Sequence, residues 1–162
     1  MAERARPSLS FSSSILRATA YHEAGHAVAA IARQRRFSYM TIEPDHGRGS
    51  AGHVRFSARQ GGSIISLHTG AVIALAGEAA QRQFSPRSIR LHQSDGDRAI
   101  VADAALLATG SAEQAGLLVK FWTVCARDLI ASRWTAVNQV AAALLDRRRL
   151  TYAEVLAVAK PS

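Results

Sequence analysis

Ala20-Tyr21-His22-Glu23-Ala24-Gly25-His26-Ala27-Val28 sits inside a longer run, Ile15 to Ala32, in which Leu16, Ala20, Ala24, Ala27, Val28 and Ile31 recur at three and four residues. That spacing predicts an amphipathic helix. On it His22 and His26 stand four residues apart, so their imidazoles share one face and can grip a single zinc ion. Glu23, between them, lies beside the metal without having to bind it and can take a proton from a water attacking a carbonyl carbon. With this chain's His and Glu counts the pattern would arise by chance in about one such sequence in a hundred. Gly25 is awkward, because glycine inside a helix costs up to ~1 kcal/mol relative to alanine. The expected reason is a packed neighbour near the metal, with which a larger side chain would collide, so that Gly25→Leu loses zinc while Gly25→Ala keeps it.

Beyond this helix, Tyr39 to Glu43 and Gly52 to Phe56 read as two short strands flanking the turn-rich stretch Pro44 to Ser50. Gly61-Gly62 breaks the chain, and Ile64 to Phe84 follows as a second, apolar and therefore buried helix. After a loop containing Pro86, Ser94-Asp95 opens a third helix running to about Ala105, and Thr109-Gly110-Ser111 ends it. Helices over Ala112 to Arg133 and Thr135 to Arg148 come next. A last one opens at the capping-box pair Thr151 and Glu154. The expected class is mainly α (α+β), with a small β-hairpin or sheet after the zinc-binding helix.

The chain of 162 residues, 48% hydrophobic and 20% charged, is long enough to bury a core as one domain. With no repeat or linker, that domain is placed at 15–160, behind a flexible leader at 1–14 that lacks the apolar stretch of a secretory signal. The single cysteine, Cys125, cannot form an internal disulfide, which points to a reducing, cytoplasmic setting and to a packing role for the thiol. The uncharged run Gln60 to Gly77 falls short of the ~20 apolar residues of a bilayer span, so no membrane span is expected. The net charge of +8 gathers at Arg33-Gln34-Arg35-Arg36 and Arg147-Arg148-Arg149. Both clusters follow apparent helices, where cations are favourable, so no specific nucleic-acid partner is expected.

The segment Ala20 to Val28 resembles the zinc-helix signature of the FtsH-type peptidases, the M41 family. Thr41-Ile42-Glu43-Pro44 with Gly52-His53-Val54 is similar to that family's strand, turn and second strand. Leu75-Ala76-Gly77-Glu78-Ala79-Ala80 resembles its Leu-x-Gly-x-Ala-Ala helix, and Trp134 to Val155 resembles its closing segment. The resemblance implies a helical zincin-like peptidase domain, a zinc-dependent endopeptidase with Zn2+ as cofactor. His22 and His26 are then ligands, Glu23 is the catalytic base, and an Asp at the start of a later helix is the third ligand. Ser94-Asp95-Gly96-Asp97-Arg98-Ala99 offers Asp95 for that place, with Ala99 in register, and Asp97 as its rival. His92 is a further residue that could face the site, whereas His46, His53 and His68 read as surface or loop histidines.

Two departures from the family qualify this reading. The chain carries no Gly-x-x-x-x-Gly-Lys-Ser/Thr loop. The resemblance therefore implies a stand-alone peptidase acting on accessible or unfolded polypeptide, as a homo-oligomer or served by a separate ATPase. Where the family commonly continues Ala-Ala-Glu-Glu, this chain has Ala79-Ala80-Gln81-Arg82. The alternative is a zinc-binding, non-proteolytic scaffold or regulatory module, which a fourth protein ligand such as His92 would favour.

Overall fold

The computed structural model describes residues 9–44, 52–56, 63–88 and 95–159. Helix α1 spans Leu9–Ala32. It starts at Leu9 rather than Ile15, so residues 9–14 belong to the helix and not to a flexible leader, and residues 1–8 lie outside the described residues. Serines inside a helix have only moderate propensity, but extending an existing helix avoids the cost of a new nucleus.

Strand β1, Phe37–Thr41, pairs antiparallel with β2, His53–Phe56, placing Met40 opposite Val54 and Thr41 opposite His53. A third strand that the sequence reading lacks, β3 at Arg149–Thr151, pairs antiparallel with the other edge of β1, Met40 facing Leu150. The order is β2-β1-β3. Met40 and Leu150 are fully buried and form the sheet's inner face.

Helix α2 is Ile64–Phe84, as the sequence predicts, and the Ser63 hydroxyl caps it by accepting from the Ser66 amide. A 3-10 turn at Pro86–Ser88 follows. Then come α3 (Asp95–Thr109), α4 (Ala112–Ser132), α5 (Trp134–Arg147) and α6 (Tyr152–Val158). Gly110, with φ +68°, supplies the left-handed turn between α3 and α4. The predicted capping box is formed at α6, where the Thr151 amide donates to Glu154 Oε2 at 2.7 Å. The observed class is mainly α with a small antiparallel sheet.

Two hydrophobic clusters meet on α2. Ile73, Ala76 and Ala80 join Ala20, Ala24 and Ala27 of α1 with Val137 and Leu144 of α5. Leu67, Ala71, Val72 and Ala74 join Val101 and Ala105 of α3 with Trp122 of α4, and Cys125 packs against this second cluster. By length and composition α2 could cross a membrane, although the run Gln60 to Gly77 read as too short. Half of its apolar window is buried within the fold, as suits a core helix.

Three arginines of the two clusters lie over aromatic rings. The Arg35 guanidinium lies 5.5 Å from the Phe56 ring centre, Arg36 5.7 Å from that of Tyr152, and Arg149 3.7 Å from that of Tyr39. Arg147 pairs with Glu154 at 3.6 Å, and Arg148 takes the left-handed cap position of α5.

Candidate metal centre

His22, Glu23 and His26 are all buried on α1 where it packs against α2. The helices approach so closely because small residues face each other. A Cβ at Gly25 would collide with the Ala76 carbonyl oxygen and lie 2.7 Å from Ala80 Cβ. The predicted packed neighbour of Gly25 is therefore α2 itself. Even a methyl group there would need the α2 backbone to shift, so Gly25→Ala is strained as well.

The hydrogen bonds of the two imidazoles place a proton on each Nδ1. His26 Nδ1 lies 2.8 Å from the Ile73 carbonyl oxygen, which can only accept, so Nδ1–H donates. Gln81 donates through Nε2 to the Ser88 carbonyl oxygen at 3.0 Å, which turns its Oε1 toward His22 Nδ1, also at 3.0 Å. His22 Nδ1–H is therefore a donor as well. Both Nε2 atoms therefore point away from these partners and face each other at 3.0 Å. Two lone pairs at that distance repel unless a proton or a metal cation stands between them and a carboxylate.

Asp97 supplies the matching charge. Its Oδ2 lies 3.4 Å from His22 Nε2 and 3.3 Å from His26 Nε2. Among the described residues these three side chains form the group that could hold a metal ion, their ligand atoms all within 4.8 Å of one another. Ligands about 2.0–2.1 Å from one ion at tetrahedral angles stand about 3.3 Å apart. The observed spacings fit that edge, and two buried imidazoles with a carboxylate are a fitting donor set.

The carboxylate brought to the histidines is Asp97, not Asp95. Asp95 is the exposed first residue of α3, and side chains two apart on a helix do not share a face. A signal was present in the sequence: the buried face of α3 is Val101, Ala104 and Ala105, and Asp97 precedes Val101 by four. Gln81 was also legible as a polar residue in the buried stripe Ile73, Ala76, Gly77, Ala80. His92 and His46 lie outside the described residues. His53 lines the cleft and its ring packs on Tyr39, whereas His68 lies beside Phe121 and Trp122.

Burial pushes the Glu23 carboxyl up and Asp97 adds to this, while the two imidazoles pull it down; the net direction is up. Burial disfavours a charged His26, but Asp97 and then Glu23 outweigh it, and its pKa is pushed up to about 9. Burial would likewise raise Asp97, but the two histidines win and hold it well below the usual carboxylate range.

A cleft of about 620 Å3 opens beside these residues. Its walls are mostly apolar, including Val54 and Phe56 of β2, Ile73 and Ala74 of α2 and Ile100 of α3. Gly52 allows β2 to pass Glu23, since a Cβ there would lie 3.1 Å from Glu23 Cγ. No protein-family model matches the chain, and no curated protein matches it.

Proposed function

We propose that the chain is a zinc-dependent endopeptidase of the His-Glu-x-x-His type, with His22, His26 and Asp97 as zinc ligands and Glu23 as the base. The observation that carries this reading is the pair of Nε2 atoms 3.0 Å apart with Asp97 Oδ2 within 3.4 Å of both. A zinc ion bound there supplies a Lewis acid that acidifies water and polarises a peptide carbonyl. Glu23 takes the proton of the water whose oxygen bonds to the carbonyl carbon. It returns that proton to the amine nitrogen as the C–N bond breaks. Its raised pKa suits a group that must both accept and release a proton.

The cleft supports polypeptide as the substrate. It is apolar enough for a side chain, and β2 beside it has β1 as its only strand partner among the described residues. An extended peptide can add to such an edge. The likeness to FtsH-type peptidases supports the same chemistry. We further propose accessible or unfolded polypeptide as substrate, action as a homo-oligomer or with a separate ATPase, and a cytoplasmic setting consistent with the lone thiol Cys125.

The test is metal content by mass spectrometry with casein hydrolysis on wild type, Glu23→Gln, Asp97→Ala and Asp95→Ala. The expected result is zinc in wild type, Glu23→Gln and Asp95→Ala, little in Asp97→Ala, and hydrolysis in wild type and Asp95→Ala alone. Wild type without zinc, or Glu23→Gln as active as wild type, overturns the proposal. Zinc in wild type without hydrolysis of any unfolded polypeptide moves the reading to a non-proteolytic zinc module.

A further inference from the structure

We propose that Glu78 and Arg98 form a clamp that presents Asp97 to the two histidines, which makes both of them positioning residues of the metal centre. This rests on the reading of His22, His26 and Asp97 as ligands. Asp97 and Arg98 are consecutive on α3, and consecutive helical residues point about 100° apart. The first turn of α3 thus sends Asp97 to the histidines and Arg98 back onto α2. There Arg98 Nε donates to Glu78 Oε2 at 3.0 Å and Nη2 to Oε1 at 2.9 Å, a fork that fixes direction as well as distance. Arg82, one turn further along α2, donates from Nε to Glu78 Oε1 at 2.8 Å and holds the carboxylate in place. Glu78 follows Gly77, the residue against which both imidazoles rest. One stretch of α2 therefore carries the seat of the histidines and the anchor of the aspartate.

Magnitudes separate this role from a stabilising one. The Arg98 side chain is 42% exposed and that of Glu78 14%. With one partner half open to water, such a pair adds on the order of 1 kcal/mol to stability. Ligand placement is far less forgiving, since a metal ligand must be held to within about 0.5 Å. Asp97 is itself 29% exposed, so water competes for its carboxylate whenever α3 drifts. The fork removes that drift where it matters and adds little elsewhere.

The experiment compares wild type with Glu78→Gln, Arg98→Gln and Arg98→Lys. Zinc affinity is read by chelator competition, the visible spectrum after cobalt(II) substitution, and the melting temperature without metal. The two Gln variants should lose about 10–100-fold in zinc affinity and change the cobalt absorption, while their metal-free melting stays within a few degrees of wild type. Arg98→Lys, which keeps the charge but not the fork, should fall between. Unchanged affinity and spectrum in both Gln variants would overturn the clamp. So would a metal-free melting temperature that drops in step with affinity, because the pair would then be holding the fold. Wild type that binds no zinc removes the ligand reading itself, a failure separate from that of the clamp.

Discussion

Gly77 and His26 touch in a way that no side chain at position 77 would permit. A Cβ there would run into His26 Nε2, and would lie 2.6 Å from His26 Cε1 and 2.9 Å from His22 Nε2. The absence of a side chain at position 77 of α2 is thus what lets both rings bring their Nε2 atoms together. Gly77→Ala should push the imidazoles apart and lower zinc affinity on the order of a hundredfold, by the sensitivity of metal sites to small misplacements. Chelator competition reads the affinity and far-ultraviolet dichroism checks that the helices remain. Wild-type affinity in a folded Gly77→Ala protein would contradict the seating of the rings.

Gly25→Ala tests the same interface from α1. Alanine is the better helix former by up to ~1 kcal/mol, which on propensity alone predicts a gain. The added methyl group would meet the Ala76 carbonyl, which belongs to a helix backbone and cannot swing aside. Overpacking of this kind costs about 1–3 kcal/mol, and with a backbone atom in the way the cost wins. Urea unfolding should show a net loss of about 1–2 kcal/mol with an unchanged m value. A stabilised variant would mean that α1 and α2 part more easily than their alanine contacts suggest.

Gln81 uses its amide in two directions, accepting from His22 and donating to Ser88. Replacement separates the two. Gln81→Leu leaves His22 Nδ1–H without its acceptor and frees the ring to turn, so zinc affinity should fall about 10–100-fold. Gln81→Glu keeps an acceptor for His22 but loses the donor to the Ser88 carbonyl. Affinity should then hold or rise, while stability drops by about 1–3 kcal/mol. Parallel titration and thermal melts of both variants check this. Equal zinc binding in Gln81→Leu and wild type would show that the amide does not orient the ring.

The parts legible in the sequence are those set by local spacing. The i, i+4 relation of His22 and His26 needs only a helix, and the bounds of α2 follow from its apolar run between Gly61-Gly62 and Pro86. The parts that were not legible depend on docking. β3 is three residues long with an arginine in it, and it is a strand only because β1 offers an open edge. The choice of Asp97 over Asp95 was legible only in part: the four-residue spacing of Asp97, Val101 and Ala105 is in the sequence, but which face of α3 meets its neighbours is set by packing. Gly25 called for a packed neighbour, but that this neighbour is the backbone of Ala76 follows only from the docking of another helix.

His26 gives the metal-free protein a pH signature. Its ordinary pKa of 6.5 is pushed up to about 9 because Asp97 and Glu23 outweigh burial. A group with a raised folded pKa binds more protons folded than unfolded, so its contribution is complete below about pH 6.5 and lost as pH rises through about 9. Seen from Asp97, whose pKa is lowered, the same pair is lost on the acid side, below the ordinary carboxylate range. The metal-free melting temperature should therefore decline by several degrees between pH 6.5 and 9, and His26→Gln should flatten that decline. A metal ion must displace this proton, so apparent zinc affinity should keep rising about tenfold per pH unit up to about pH 9, rather than levelling near 6.5. Calorimetry in buffers of different ionisation enthalpy should find about one proton released per zinc at pH 7.5. Affinity that is flat above pH 7 would mean that His26 is already neutral in the metal-free protein, and that Asp97 faces the histidines only when the metal is bound.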